Sequence, residues 1–276
     1  MGRQERLDYR IKSWSEKMSQ TNPTFREQFY AALAKGRPAF SFYFNWDWLR
    51  LVDITDSRTW EYTATSSPIA IAVDYIGGRP VAAMAGNNGA DDGHTFQWGT
   101  GSADGCIQMT PGKLMGFHVG FRTAHATPAT PELLIGFWAA PTVATPIASI
   151  GSLTDHALLS KLSGESRFSF KARKASGTAE TTTLQEAAMA ANTNQDYEVY
   201  IMPDPAGAGK GLVEIWRSTA GGPFLPISGT MDNPDRITIA SQLPDSVDLT
   251  FGIAFEAGDT GTDISYASGG LVAMLR

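Results

Sequence analysis

The stretch "GNNGADDGHTFQWG" (residues 86–99) crowds Asn87, Asn88, Asp91, Asp92 and His94 into one short loop. Hard oxygen ligands of this kind suit Ca²⁺. The spacing is not that of an EF-hand loop, because no Glu stands at its twelfth position. Asn, Asp and Gly are also what a tight turn needs. The loop therefore reads as a turn feeding a strand, "HTFQW", and no metal is expected. Asp91 and Asp92 are the candidate ligands if one is bound. A second loop, "PAGAGKG" (205–211), is reminiscent of a phosphate loop. Asp204 stands where its first Gly is required, and Gly211 replaces the Ser or Thr that would meet Mg²⁺. "LVEIWRS" follows and has strand character, so no helix N-terminus faces a phosphate. A hairpin loop is expected there.

Glycoside hydrolysis needs two carboxylates about 5–10 Å apart. No Glu-x-Asp-x-Glu cluster on one strand supplies them. Glu198 with Asp196, and Glu214, read as isolated within their strands, and Glu256 and Asp259 fall at a strand end. His94, His118, His125 and His156 are scattered, and no Gly-x-Ser-x-Gly elbow occurs. The expectation is a chain that is not an enzyme and carries no cofactor. Cys106 is the one cysteine, which rules out an internal disulfide and multi-Cys metal sites.

The elements that would position these residues are mostly strands. One helix is signalled over about 23–35. Asn22 reads as its N-cap, Pro23 as its first position and Gly36 as its stop, with Phe25, Phe29, Ala32 and Leu33 at helical spacing. Residues 4–20 read as a further short helix. From Pro38 the hydrophobic period becomes two. Strands are expected at 39–46, 58–64, 69–75, 79–85, 94–98, 105–109, 114–123, 132–139, 166–174, 180–186, 196–202, 211–217, 236–240, 248–256 and 264–275. Residues 154–163 fit either a helix or a strand. "ELLIGFWAAP" (132–141) and "LTFGIAFEAG" (249–258) each hold a Gly inside an apolar run, and both are read as central, buried strands. Short strands between Gly-rich turns, without long helices, make an antiparallel sandwich or barrel.

In "FSFYFNWDW", Phe40, Phe42, Phe44, Trp46 and Trp48 occupy every second position, which puts five rings on one face of a strand. Bare, such a face invites aggregation, so it is expected to be covered by the chain's own sandwich or by a neighbouring subunit. The 276 residues carry a net charge of −6, which excludes a general nucleic-acid binder. Residues 1–38 alone sum to +4, with Arg3, Arg6, Arg10 and Lys12 at the front, leaving −10 for the rest. Such a basic arm on an acidic body suits docking on an acidic partner. The start, "MGRQERLDYR", lacks the apolar run of a signal peptide. Residues 133–153 carry no charge, but Pro141 and Pro146 break them, so a strand and a loop are expected there instead of a membrane helix.

From "TWEYTATSSPIAIAVDYIGGRPVAAMAG" through "FQWGTGSADGCIQMTPGKLMGFHVGFRTA", "ELLIGFWAAP", "SRFSFKARKASGTAETTTL" and "YEVYIMPDPAGAGKGLVEIWRS" to "DLTFGIAFEAGDTGTDISYASGGLVAML", the layout resembles one kind of tailed-bacteriophage virion protein. These are capsid decoration proteins with a concanavalin A-like (laminin-G-like) jelly roll. The likeness spans about residues 58–275. The same layout occurs in lectins, sugar-binding modules and lyases.

The resemblance implies an all-β, antiparallel concanavalin A-like jelly-roll sandwich over 51–276. A short helical N-terminal arm of residues 1–50 would anchor it. It implies a virion structural protein made in the host cytoplasm and self-associating, with a trimer as one arrangement. Its partners would be the major capsid protein and sister subunits, with no nucleic acid and no membrane. The contacts would run through Arg3, Arg6, Arg10, Lys12, Phe40, Phe42, Phe44, Trp46 and Trp48. The alternative is a carbohydrate-binding, lectin-like module meeting a host-surface glycan. A polysaccharide-degrading enzyme is the third reading.

Overall fold

The computed structural model describes residues 23–36, 38–44, 60–66, 69–76, 79–86, 89, 91–98, 107–123, 127, 130–139, 153–175, 177–186, 188–245, 247–258 and 264–275. One helix, α1 (Phe25–Ala34), precedes seventeen strands. In chain order these are β1 (Pro38–Phe44), β2 (Trp60–Thr65), β3 (Ile69–Ile76), β4 (Arg79–Ala85), β5 (Gly93–Trp98) and β6 (Ile107–Gln108). Next come β7 (Met115–Thr123), β8 (Glu132–Trp138), β9 (His156–Lys161), β10 (Ser169–Arg173), β11 (Glu180–Thr183) and β12 (Gln195–Pro203). The last five are β13 (Gly211–Thr219), β14 (Leu225–Pro226), β15 (Ile237–Ile239), β16 (Asp248–Glu256) and β17 (Ile264–Leu275).

They form two sheets. The nine-stranded sheet runs β14-β13-β12-β7-β17-β4-β3, with β1 added on β17 and β15 on β13. The eight-stranded sheet runs β11-β10-β9-β8-β16-β5-β2, with β6 on β16. Each of the fifteen strands read from the pattern is present. Residues 154–163, which fitted helix or strand, supply β9. The two-residue β14 had no signal, since one Leu-Pro pair carries no period.

Period-two alternation sorts each strand into an inner and an outer face. Tyr197, Val199 and Ile201 of β12, and Leu249, Phe251, Ile253 and Phe255 of β16, belong to the core between the sheets. Each buried large apolar side chain there contributes roughly 1.5–3 kcal/mol. β8 and β16 lie side by side at the centre of the eight-stranded sheet, as expected, and their glycines face each other, Gly136 opposite Gly252. A Cβ on Gly252 would lie 2.2 Å from two ring carbons of Trp138, so the glycine is what lets the indole lie on the strand.

The helix starts two residues later than its sequence signals suggested. Thr24, not Asn22, is the N-cap: its hydroxyl accepts from the Glu27 N–H, and the Glu27 carboxylate accepts from the Thr24 N–H. This capping box satisfies two donors at once and outcompetes the single cap read from Asn22-Pro23. Gly36 ends the turn with φ 62°, a left-handed conformation that favours glycine. The hairpin loop 204–210 between β12 and β13 places Gly207, Ala208 and Gly209 in succession at positive φ. Its Gly209 N–H donates to Oδ2 of the buried Asp245 at 3.0 Å, and Lys174 pairs with the other oxygen of that carboxylate. The loop does bind an oxyanion, and the oxyanion is the chain's own.

β1 pairs with the last residues of β17, and Phe40, Phe42 and Phe44 lie opposite Met274, Val272 and Gly270. On the β17 side of this ladder Val272 is a core residue and Met274 packs against that core.

Candidate functional site

The outer face of the nine-stranded sheet carries the densest set of functional groups among the described residues. Outward positions of β7, β12 and β13 line up in rows. His118, Glu198 and Trp216 are successive cross-strand partners, as are Gly116, Tyr200 and Glu214. Helix α1 lies over the second row. Phe25 and Phe29 pack with Leu114, Tyr200, Trp216, Ala273 and Leu275 in a cluster separate from the core between the sheets. Gly116 leaves the room: a Cβ there would sit 3.1 Å from the Phe29 ring and 2.8 Å from that of Tyr200.

Two glutamates read as isolated in the sequence come together under this helix. Glu214 is fully buried and accepts four hydrogen bonds. These come from the backbone N–H of Phe25 (3.0 Å) and Arg26 (3.1 Å), the Trp216 indole (2.8 Å) and Nε of Arg236 (3.3 Å). The carboxylate thus sits at the positive end of the helix. Glu198 accepts from Nε and Nη2 of Arg26, from the Tyr30 hydroxyl at 2.7 Å and from the Tyr200 hydroxyl at 2.8 Å. Burial, reinforced by the Glu198 charge, drives both tyrosine pKa values up, so both remain phenols at neutral pH. With every lone pair engaged, the two carboxylates serve to hold α1 and have none left to activate water.

Beside the helix the face opens. The Arg26 guanidinium carbon stands 5.2 Å from the Phe224 ring centre, 5.3 Å from that of Trp216 and 5.4 Å from that of Tyr30. Half-buried Phe224 meets His118 edge-on at 5.7 Å. Among the described residues, Nε2 of His118 is buried without a hydrogen bond, and Oδ1 of Asp196 lies 3.6 Å away. The side chains of His118 and Asp196 keep 30% and 16% of their exposure, and for His118 that exposure lies on atoms other than Nε2. Leu225, next to Phe224, is exposed.

The remaining titratable groups lie apart. His94 is buried against Phe255 and bonded to the Ala85 carbonyl, and burial lowers its pKa. Burial pushes the His156 imidazole down to about 4 and the Lys161 amine to about 8. Glu132 faces Glu256 directly across β8 and β16, and burial is the main cause of its raised pKa. In the 86–93 loop, the Asp92 carboxylate accepts the Gly89 N–H at 3.0 Å, while Asp91 is exposed. Arg3, Arg6, Arg10, Lys12, Trp46, Trp48, His125 and Asp259 lie outside the described residues. Sequence reasoning missed Phe224, His118 with Asp196, and the meeting of Arg26 with Glu198. The usable signal was the outward phase of β12 and β13, where Glu198, Tyr200, Glu214 and Trp216 put acids and large rings on a face that needed a cover.

No family model matches the chain, and no match is found among curated proteins. Solved structures share its architecture at low identity. Lectin I-B4 from Griffonia simplicifolia is 11% identical, with 86% of this chain and 100% of the lectin covered, at a TM-score of 0.49. The PL-14 alginate lyase from Aplysia kurodai is 9% identical over 76% of this chain and 90% of the lyase, at 0.48. A carbohydrate esterase from the Shiga toxin-encoding bacteriophage phi24B is 10% identical over 79% and 90%, at 0.41. The fold is an all-β, lectin-like jelly-roll sandwich with one short helix. The expectation that the chain is not an enzyme is corrected here: an alginate lyase and a carbohydrate esterase stand among these neighbours.

Proposed function

We propose that the chain binds carbohydrate on the outer face of its nine-stranded sheet, beside α1. The observation that carries this reading is the half-buried Phe224 ring, edge-on to the His118 imidazole and followed in the chain by the exposed Leu225, with Asp196 within reach of His118. A sugar needs a flat apolar surface for its C–H face and polar groups for its hydroxyls. Phe224 supplies the first, and Asp196 with His118 supply the second. Glu198 and Glu214 take no part, because α1 already saturates them. Glycan-array screening followed by calorimetry tests the reading. Phe224→Ala and Asp196→Ala are each expected to abolish binding while leaving the circular dichroism spectrum unchanged. Binding that survives both substitutions overturns it, as does an array without a hit.

A second reading is favoured by β1. Among the described residues its outer edge has no strand partner, and the basic run Arg3, Arg6, Arg10 and Lys12 precedes it. In this reading the chain decorates a virion and docks through residues 1–50 on the major capsid protein and sister subunits. The test is co-purification with particles at a fixed copy number, lost on raising salt.

A further inference from the structure

We infer that the seat of α1 also accepts the same helix from a second copy of the chain, so that copies associate by exchanging their N-terminal arms. The inference stands independently of the carbohydrate reading.

The seat is built without the arm's sequence neighbours. Arg26 reaches Glu198 across 172 positions, and the Phe25 N–H reaches Glu214 across 189. The buried residues of α1 belong to their own cluster, outside the core between the sheets. β1, which follows α1 after residues 35–37, joins the nine-stranded sheet off its main path, on β17. The helix therefore rests on the outer face of the sandwich, and any copy of that sandwich offers the same seat.

Recognition is specific to this helix. The seat presents two carboxylates, and the arm brings Arg26 and the positive end of a helix to meet them. Trp216 and Phe224 flank the guanidinium, and Gly116 leaves a hollow for Phe29. Arg236 covers the Phe25 ring at 4.1 Å. A generic basic peptide would satisfy the carboxylates without filling the Phe25 and Phe29 positions.

Reach is sufficient. Residues 45–59 connect β1 to β2, and at about 3.3–3.6 Å per residue they bridge up to about 50 Å. That is comparable to the diameter of a domain of this size, for which the radius of gyration is about 19 Å. Contacts made within one chain over such a connection form equally well between two, and high local concentration decides the balance.

Two full-length variants test this. One carries Glu198→Ala and Glu214→Ala, with an intact arm and a broken seat. The other carries Arg26→Ala and Phe29→Ala, with an intact seat and a broken arm. Exchange predicts that native mass spectrometry finds a heterodimer in the mixture and no dimer of either variant alone. A mixture without heterodimer overturns the inference when both variants give the wild-type circular dichroism spectrum. Where the seat variant does not fold, the unmutated chain decides. Equal amounts of ¹⁴N chain and ¹⁵N chain, both containing photo-leucine, are refolded together and irradiated. Crosslinks from Leu33 to β12 or β13 peptides of the other isotope support exchange. Crosslinks confined to one isotope overturn it.

Discussion

Truncating Glu214 to alanine tests whether α1 is a separately held element. The carboxylate accepts from Phe25 N, Arg26 N, the Trp216 indole and Arg236. Without it, the buried Phe25 N–H and the buried indole N–H lose their acceptors. A stranded buried donor costs about 1–3 kcal/mol, so the two cost about 2–6 kcal/mol. Arg236, with about a third of its side chain exposed, turns to water and adds little. The range for removing one partner of a buried ion pair, about 3–5 kcal/mol, falls inside this estimate. The helix escapes the penalty by undocking, so the cost appears as opening of α1 and leaves the sandwich intact. At about 1.4 kcal/mol per decade, the opening constant should rise by roughly two to four decades. Native-state hydrogen exchange measures it: amides of residues 25–34 should lose protection while those of β12 and β16 keep theirs. Glu214→Gln, which keeps one acceptor oxygen, should lose less. Unchanged exchange in α1 would refute the reasoning. So would an equal loss in β16, which would make the helix part of one cooperative unit with the core.

Two further outcomes are expected. The His156 imidazole, held at about 4 in the folded chain against about 6.5 unfolded, binds its proton more readily in the unfolded state. Stability is therefore full above about pH 6.5 and falls as pH drops toward 4, by about 3 kcal/mol from this group. Urea titrations at several pH values should show a shallower slope for His156→Gln than for the wild type. Gly252→Ala would press a methyl against the Trp138 ring and lie 2.7 Å from the Phe96 carbonyl oxygen. Thermal melts should show a loss of at least about 1–3 kcal/mol, and an unshifted melt would mean that the indole moves aside freely.

Strand positions were legible because the alternation of apolar residues survives wherever one face meets a core. β12 and β16 match their sequence readings to within a residue for this reason. The paired glycines at 136 and 252 were legible as close approaches, although their facing each other was not. The site was harder to read. Glu198 and Glu214 lie sixteen positions apart in the chain and become neighbours only through the β12–β13 register. Arg26 arrives from the far end of the sequence, and no local pattern announces it. Phe224 sits in an irregular turn, where periodicity has nothing to measure. The helix start was misplaced because Asn22-Pro23 is a good local signal, and it masked a better one in the same stretch, the Thr24-x-x-Glu27 capping box.

The placement of β16 and β17 bears on how the chain comes to be folded. They are the last strands in the sequence, yet each lies in the middle of its sheet, β16 between β8 and β5 and β17 between β7 and β4. During synthesis, β4 and β5 must wait with half their ladders empty until residues 248–275 emerge from the ribosome. The intermediate exposes unpaired strand edges and long apolar runs, the conditions under which nascent chains stick to one another or are taken up by chaperones. Folding is then a late, long-range closure of the kind that is slow for all-β topologies. Loss of the final strand would remove the seam that joins β7 to β4 and the one ladder of β1, leaving the remaining strands of that sheet in three pieces.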